Sequence, residues 1–129
     1  MYNGSVLSSR DWIALINQPS LDSFAMGFSK DVALEASVLK TPIIGTQDIR
    51  RFFDATRRMY ESIAFVHEAC TDSHTYLAWE GIYAGHPVAG VTVLGRNASG
   101  VISHIGLHHR PFAQVVAFSA GLEAILSPS

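Results

Sequence analysis

The chain has 129 residues, 48% of them hydrophobic and 16% charged, with a net charge of −2 from 9 basic and 11 acidic side chains. That length suits a single domain, residues 1–129, which buries roughly two thirds of its unfolded surface and needs no staples. A near-neutral charge without a basic run excludes a nucleic-acid partner, and the one cysteine, Cys70, excludes an internal disulfide or a cysteine-rich metal site. No apolar run reaches the length of a membrane span and no signal peptide opens the chain, so a cytoplasmic protein with no membrane partner is expected.

Residues 1–7 read as a flexible arm. Ser8 or Ser9 can cap a helix over Arg10–Asn17, with Asp11 in the first turn and Trp12, Ile13, Leu15 and Ile16 on its apolar face. Pro19 ends it. Ser20 can cap a second short helix to Met26, closed by Gly27. Asp31–Leu39 reads as a strand in which Val32, Leu34, Ala36 and Val38 alternate with Ala33, Glu35, Ser37 and Leu39. Thr41-Pro42 breaks it, and Ile43-Ile44 is a short returning strand. Thr46 is placed to cap a helix over Gln47–Glu61, whose apolar residues Ile49, Phe52, Phe53, Thr56, Met59 and Tyr60 keep the helical period. Its other face carries Asp48, Arg50, Arg51, Asp54, Arg57 and Arg58, which reads as a solvated stripe with supportive pairs.

Four strands follow: Ile63–Ala69, Thr75–Ala84, Val88–Arg96 and Val101–His109. The turns between them are Thr71-Asp72-Ser73, Gly85-His86-Pro87 and Asn97-Ala98-Ser99-Gly100. Such short connections require antiparallel neighbours. Alternation places Ile63, Phe65, His67, Ala69, Leu77, Trp79, Gly81, Tyr83, Val91, Val93, Ser103, Ile105, Leu107 and His109 on an inner face. The outer face then carries Val66, Glu68, Tyr76, Ala78, Glu80, Ile82, Thr92, Leu94, Ile102, His104 and His108. This second face is too apolar to be wholly solvated, which predicts a homodimer through Tyr76, Glu80, Thr92, His104 and His108. A last helix opens at Pro111 and runs to residue 126, with Phe112, Val115, Val116, Leu122, Ile125 and Leu126 as its buried stripe. The expected fold class is α+β: a strongly curved antiparallel sheet wrapped around N-terminal helices as a cone that encloses a pocket.

Three segments carry a family resemblance. The first is Phe28-Ser29-Lys30-Asp31-Val32-Ala33-Leu34-Glu35 ahead of Gly45-Thr46-Gln47-Asp48-Ile49-Arg50-Arg51-Phe52-Phe53. The second is Trp79-Glu80-Gly81 with Gly85-His86-Pro87-Val88-Ala89-Gly90-Val91-Thr92-Val93-Leu94, and the third is Gly100-Val101-Ile102-Ser103-His104-Ile105. Over Trp12 to Pro111 the chain resembles the nuclear-transport-factor-2-like superfamily, in particular its SnoaL-like branch, with a cystatin-like cone. The resemblance implies a scaffold that hosts ketosteroid isomerases, limonene epoxide hydrolases, polyketide cyclases, dehydratases and non-catalytic proteins, so it speaks for fold more than for chemistry. Ketosteroid isomerases use an acid near the end of the first strand, and Glu35 is the nearest match. Epoxide hydrolases place charged residues where this chain has Leu77, Trp79 and Leu107, which argues against their mechanism.

The candidate proton-handling residues are Glu35, His67 and His109. An imidazole titrates near neutral pH, and a carboxylate in an apolar cone has its pKa raised. Each also has a plainer reading, as a strand-end histidine or an exposed strand glutamate. Trp12, Phe28, Phe53, Tyr60, Phe65, Trp79 and Leu107 are the candidate ligand-binding wall, although most would serve equally as ordinary core. His104 and His108, with Glu68, Glu80 and Thr92, read as a hydrogen-bonded interface patch more readily than as a zinc site. Cys70 beside a turn reads as a half-buried thiol. Neither a metal nor a nucleotide cofactor is expected. Two functions remain open: a small hydrophobic molecule processed by acid–base isomerase, cyclase or dehydratase chemistry, or a non-catalytic small-molecule-binding or dimeric assembly module.

Overall fold

The computed structural model describes residues 12–14, which are helical, and 27–126. The expected arm over 1–7, the rest of the first helix and the short helix over 20–26 lie outside the described residues. The elements are β1 (Phe28–Ala36), β2 (Ile43–Ile44), α1 (Thr46–Met59), β3 (Tyr60–Cys70), β4 (His74–Tyr83), β5 (His86–Arg96), β6 (Ile102–Arg110) and α2 (Phe112–Leu126). They form one six-stranded sheet in the order β2-β1-β6-β5-β4-β3, with the helices packed on it. The fold class is α+β as expected. The sheet is mixed rather than wholly antiparallel, because β1 lies parallel to β6. A parallel neighbour needs a long crossover, and everything from β2 to β5 supplies it. No helix among the described residues is long and apolar enough to cross a membrane.

Local chemistry accounts for the element ends. Gly45, with φ 98°, is the N-cap of α1, so Thr46 becomes the first helical residue rather than the cap. At the other end the chain passes from helix to strand with no loop, and the Tyr60 N–H donates to the Thr56 carbonyl. Tyr83 pairs with His86, leaving Ala84 and Gly85 at φ 53° and 79° as the two turn residues. Positive φ at both positions is the mirror-image hairpin turn that suits twisted strands.

That two-residue turn corrects the reading of β5. A one-residue difference in turn placement exchanges the two faces of a strand. Trp79 pairs with Gly90, Leu77 with Thr92 and Thr75 with Leu94. Val88, Gly90, Thr92 and Leu94 therefore face inward and are buried, and Thr92 leaves the expected outer interface. A second correction comes from β3, where the register shifts between Phe65 and His67. A bulge adds one residue and inverts the alternation beyond it. His67 consequently pairs with Ala78 and is exposed, instead of facing the cone.

The core joins Ile49, Phe52 and Phe53 of α1, Phe118 and Leu122 of α2, Val32 and Leu34 of β1, and Leu77, Leu94 and Ile105 of the central strands, with Trp12 fully buried among them. The α2 stripe differs from the expected one. Gln114, Phe118 and Leu122 are buried, whereas Phe112, Val116 and Ile125 are exposed. A helix apolar on every side offers no periodic signal to choose a face. Polar anchors choose it: Gln114 Nε2 donates to the carbonyls of Tyr83 and His86, both at 3.2 Å, and Ser119 Oγ donates to the Val38 carbonyl at 2.8 Å.

Candidate functional site

Between α1 and the inner face of the sheet lies a cavity of about 210 Å³. Of the expected wall residues, Trp12, Phe53, Tyr60, Phe65, Trp79 and Leu107 line it, together with His109. Phe28 does not; it packs edge to face against Trp12, ring centroids 6.2 Å apart, in the core behind. Thr92 lines the cavity as well, for the register reason above, as do Arg57, Glu61 and Ser62.

The polar centre is a pair. Tyr60 Oη and His109 Nε2 are 2.8 Å apart. Two strands separate β3 from β6, roughly 14 Å along a flat sheet at the usual spacing. The sheet's curl and the length of the tyrosine side chain together close that gap. Gly90 makes room for the wall between them. A Cβ there would lie 2.6 Å from Trp79 Cζ2, so the indole occupies the space a side chain would take. Trp79 then meets the His109 ring edge to face at 5.0 Å, and Phe118 lies 5.4 Å from the same ring. Ser37 fixes the backbone: its Oγ accepts from the His109 N–H at 2.8 Å and donates to the Leu107 carbonyl at 3.4 Å.

Burial makes both members neutral. It pushes His109 down to about 4, with the neighbouring His108 charge a smaller cause, and raises Tyr60 well above its ordinary value. His109 Nδ1 is buried with no hydrogen-bond partner. If the phenol donated to Nε2, the ring proton would sit on Nδ1 as an unmet N–H. If Nε2–H donates to Tyr60 Oη, only a lone pair is unmet, the less costly omission. The second arrangement leaves the phenol hydrogen free to turn to the cavity. Among the described lining residues the only carboxylate is that of exposed Glu61, whose Oε2 accepts from the Gly85 N–H at 2.9 Å.

The remaining nominated residues lie elsewhere. Glu35 is on the outer face, its side chain 63% exposed, with Oε1 2.7 Å from His104 Nε2. The inward reading of Glu35 is therefore corrected: it has the parity of Ala33, opposite the buried Val32 and Leu34. His67 is outside because of the β3 bulge, so of the three proton-handling candidates only His109 reaches the cavity. Tyr60, chosen from sequence only as an aromatic, proves to be its polar partner. Their pairing has no sequence signal, since 49 positions and two intervening strands separate them.

No family model matches the chain, and no curated protein matches it. Solved structures do. A steroid delta-isomerase from Pseudomonas aeruginosa superposes with a TM-score of 0.81 at 14% identity, over 91% of this chain and 87% of that one. A cystatin-like uncharacterized protein from Silicibacter pomeroyi gives 0.78 at 13% identity, over 86% and 79%. A SnoaL-like putative isomerase from Agrobacterium tumefaciens gives 0.62 at 16% identity, over 80% and 94%. Strand order, helix placement and these likenesses make this a cystatin-like chain with the nuclear-transport-factor-2-like fold of SnoaL-like and ketosteroid-isomerase-like proteins.

Proposed function

We propose that the cavity binds a compact, uncharged, carbonyl-bearing organic molecule and that the Tyr60–His109 pair activates its oxygen. The observation that carries this reading is a buried, neutral tyrosine–histidine hydrogen bond of 2.8 Å on the wall of a largely apolar cavity. A neutral phenol backed by an imidazole N–H is a fixed donor, and such donors are worth most where charge develops on an oxygen in a dry site. Glu61 at the lining supplies a proton acceptor, so enolisation is the reaction class these groups suit. The neighbours' isomerase names favour the same class.

Size narrows the ligand. Drug-sized ligands occupy pockets of about 300–1,000 Å³, and an apolar cavity of about 150 Å³ takes benzene. At about 210 Å³ the cavity suits one or two rings, and a four-ring steroid would project from its mouth. The test is NMR titration with aryl ketones in deuterated buffer, following both binding and exchange of the proton next to the carbonyl. Wild type should bind and exchange. Tyr60→Phe should bind and lose exchange by about 100-fold, the scale of one lost oxyanion donor. Equal exchange in wild type and Tyr60→Phe sinks the catalytic reading.

The non-catalytic reading is favoured by a separate observation: no buried carboxylate lines the cavity among the described residues. It predicts binding without exchange. The outer face also supports a homodimer, since Tyr76, Glu80, His104 and His108 remain on it with Ala78, Val91 and Val93 between them. Light scattering at micromolar concentration should give twice the chain mass.

A further inference from the structure

A second concavity, of about 610 Å³, lies on the outer face of the sheet and shares only Ser62, on the edge strand, with the aromatic cavity. Two cross-strand rows make its floor. One runs Ala64, Glu80, Ala89, Arg110 across β3 to β6, and the next holds Ser62, Ile82 and Pro87. Small side chains keep this floor low, and Ile82, Pro87 and Pro111 make it apolar. The volume falls in the range of small-molecule sites, about 300–1,000 Å³.

Two opposite charges decide what fits. Glu80 and Arg110 stand in one row on either side of Ala89, two strand spacings or about 10 Å apart at their backbones. Both are exposed, and neither joins an ion pair or a side-chain hydrogen bond among the described residues. An unpaired carboxylate and an unpaired guanidinium therefore flank one apolar trough. A carboxylate accepts from an ammonium group, and a guanidinium forks onto a carboxylate. A molecule that carries one of each satisfies both side chains. Contacts of about 2.8 Å at each end leave roughly 4–5 Å between the molecule's own charges. One residue of peptide chain spans at most ~3.5 Å, and two span ~7 Å. We propose that the groove binds a dipeptide with apolar side chains as its zwitterion. Its ammonium group meets Glu80, its carboxylate meets Arg110, and its side chains rest on Ile82, Pro87 and Pro111. Neither Tyr60 nor His109 takes part, so failure here leaves the carbonyl reading of the aromatic cavity untouched.

The experiment is calorimetric titration of wild type, Glu80→Gln and Arg110→Gln with leucyl-leucine, its N-acetyl form, its C-terminal amide and free leucine. Both positions are exposed, so the substitutions leave the core intact, and circular dichroism checks each variant. Wild type should bind leucyl-leucine saturably at sub-millimolar concentration in low salt, and more weakly as salt screens the exposed charges. Each substitution, each blocking group and the loss of one residue should weaken binding by about 10-fold or more, the scale of one lost charge-assisted contact. Cross terms identify the pairings: Glu80→Gln should not weaken the N-acetyl form further, nor Arg110→Gln the amide. Absence of saturable binding up to about 10 mM dipeptide overturns the proposal, and so does binding that neither substitution changes. Equal affinity for free leucine overturns the two-residue span. An N-acetyl form that still loses affinity on Glu80→Gln overturns the assignment of the ammonium group to Glu80.

Discussion

His109 is held in a place where carrying charge is costly, and that makes it a pH gauge for the whole fold. Its folded value of about 4 lies below the ordinary 6.5, so the unfolded chain takes up the proton more readily. The stability it contributes is whole above pH 6.5 and is lost as pH falls toward 4. A shift of that size corresponds to about 3 kcal/mol. Urea midpoints measured from pH 7 to 4.5 should fall more steeply for wild type than for His109→Gln; parallel curves would show that His109 is not held neutral. Tyr60→Phe should cost about 1–3 kcal/mol at pH 7, because it strands a buried ring nitrogen rather than only deleting a bond. At this scale the sequence is partly legible. His109 could be placed because β6 keeps its alternation from Ile105 through Leu107 to His109. Glu35 fails because the family likeness implies an inward acid, whereas its parity, opposite Val32 and Leu34, points outward. His67 fails because nothing in Phe65-Val66-His67 announces an extra residue in the ladder.

Strands and helices were legible where one face alone is apolar. α1 has a charged stripe opposite an apolar one; Ile49, Phe52, Phe53 and Thr56 are buried as its period predicts, Ala55 joins them, and Tyr60 falls in β3 instead of the helix. β5 has apolar residues on both faces, so alternation does not choose between them; the two-residue turn at Ala84-Gly85 does. α2 is apolar all round, and its orientation is decided by Gln114 and Ser119, each a lone polar residue that a hydrophobic pattern ignores. Two substitutions test this level. Ala84 holds a positive φ that disfavours a Cβ by roughly 1–2 kcal/mol, so Ala84→Gly should raise the urea midpoint by the equivalent of about 1 kcal/mol after the entropy of glycine is subtracted. Gly90→Ala should do the reverse. Its methyl would meet both Trp79 Cζ2 and the His108 carbonyl, at 2.6 and 2.5 Å, and the backbone oxygen cannot step aside. A loss of about 1–3 kcal/mol is expected, with a changed tryptophan emission spectrum as the indole leaves the cavity wall. An unchanged spectrum would mean that Trp79 does not lie over Gly90.

The cavity is a property of the whole molecule, since it needs the curl of the sheet, the seat of α1 and the glycine notch together. The cone was expected from the number of helices that one small sheet must cover, and its size could not be, because volume depends on register and bulges that shift side chains by whole residues. That size bears directly on the proposed ligand. A fold shared with a steroid delta-isomerase raises a steroid as a candidate ligand, and one that large would extend well beyond about 210 Å³. Ketones of one, two, three and four fused rings, compared by thermal shift, should therefore divide between two rings and three. Ligand at a hundredfold its dissociation constant adds about 2.7 kcal/mol, which at this chain length raises Tm by roughly 10 °C. Leu107→Ala should move the division toward larger rings, because Leu107 lines the cavity from β6, and should cost the free protein about 2–5 kcal/mol for the space it opens. A four-ring ketone that stabilises wild type as well as a two-ring one would show that the cavity opens on binding, and the ligand class drawn from its volume would be wrong.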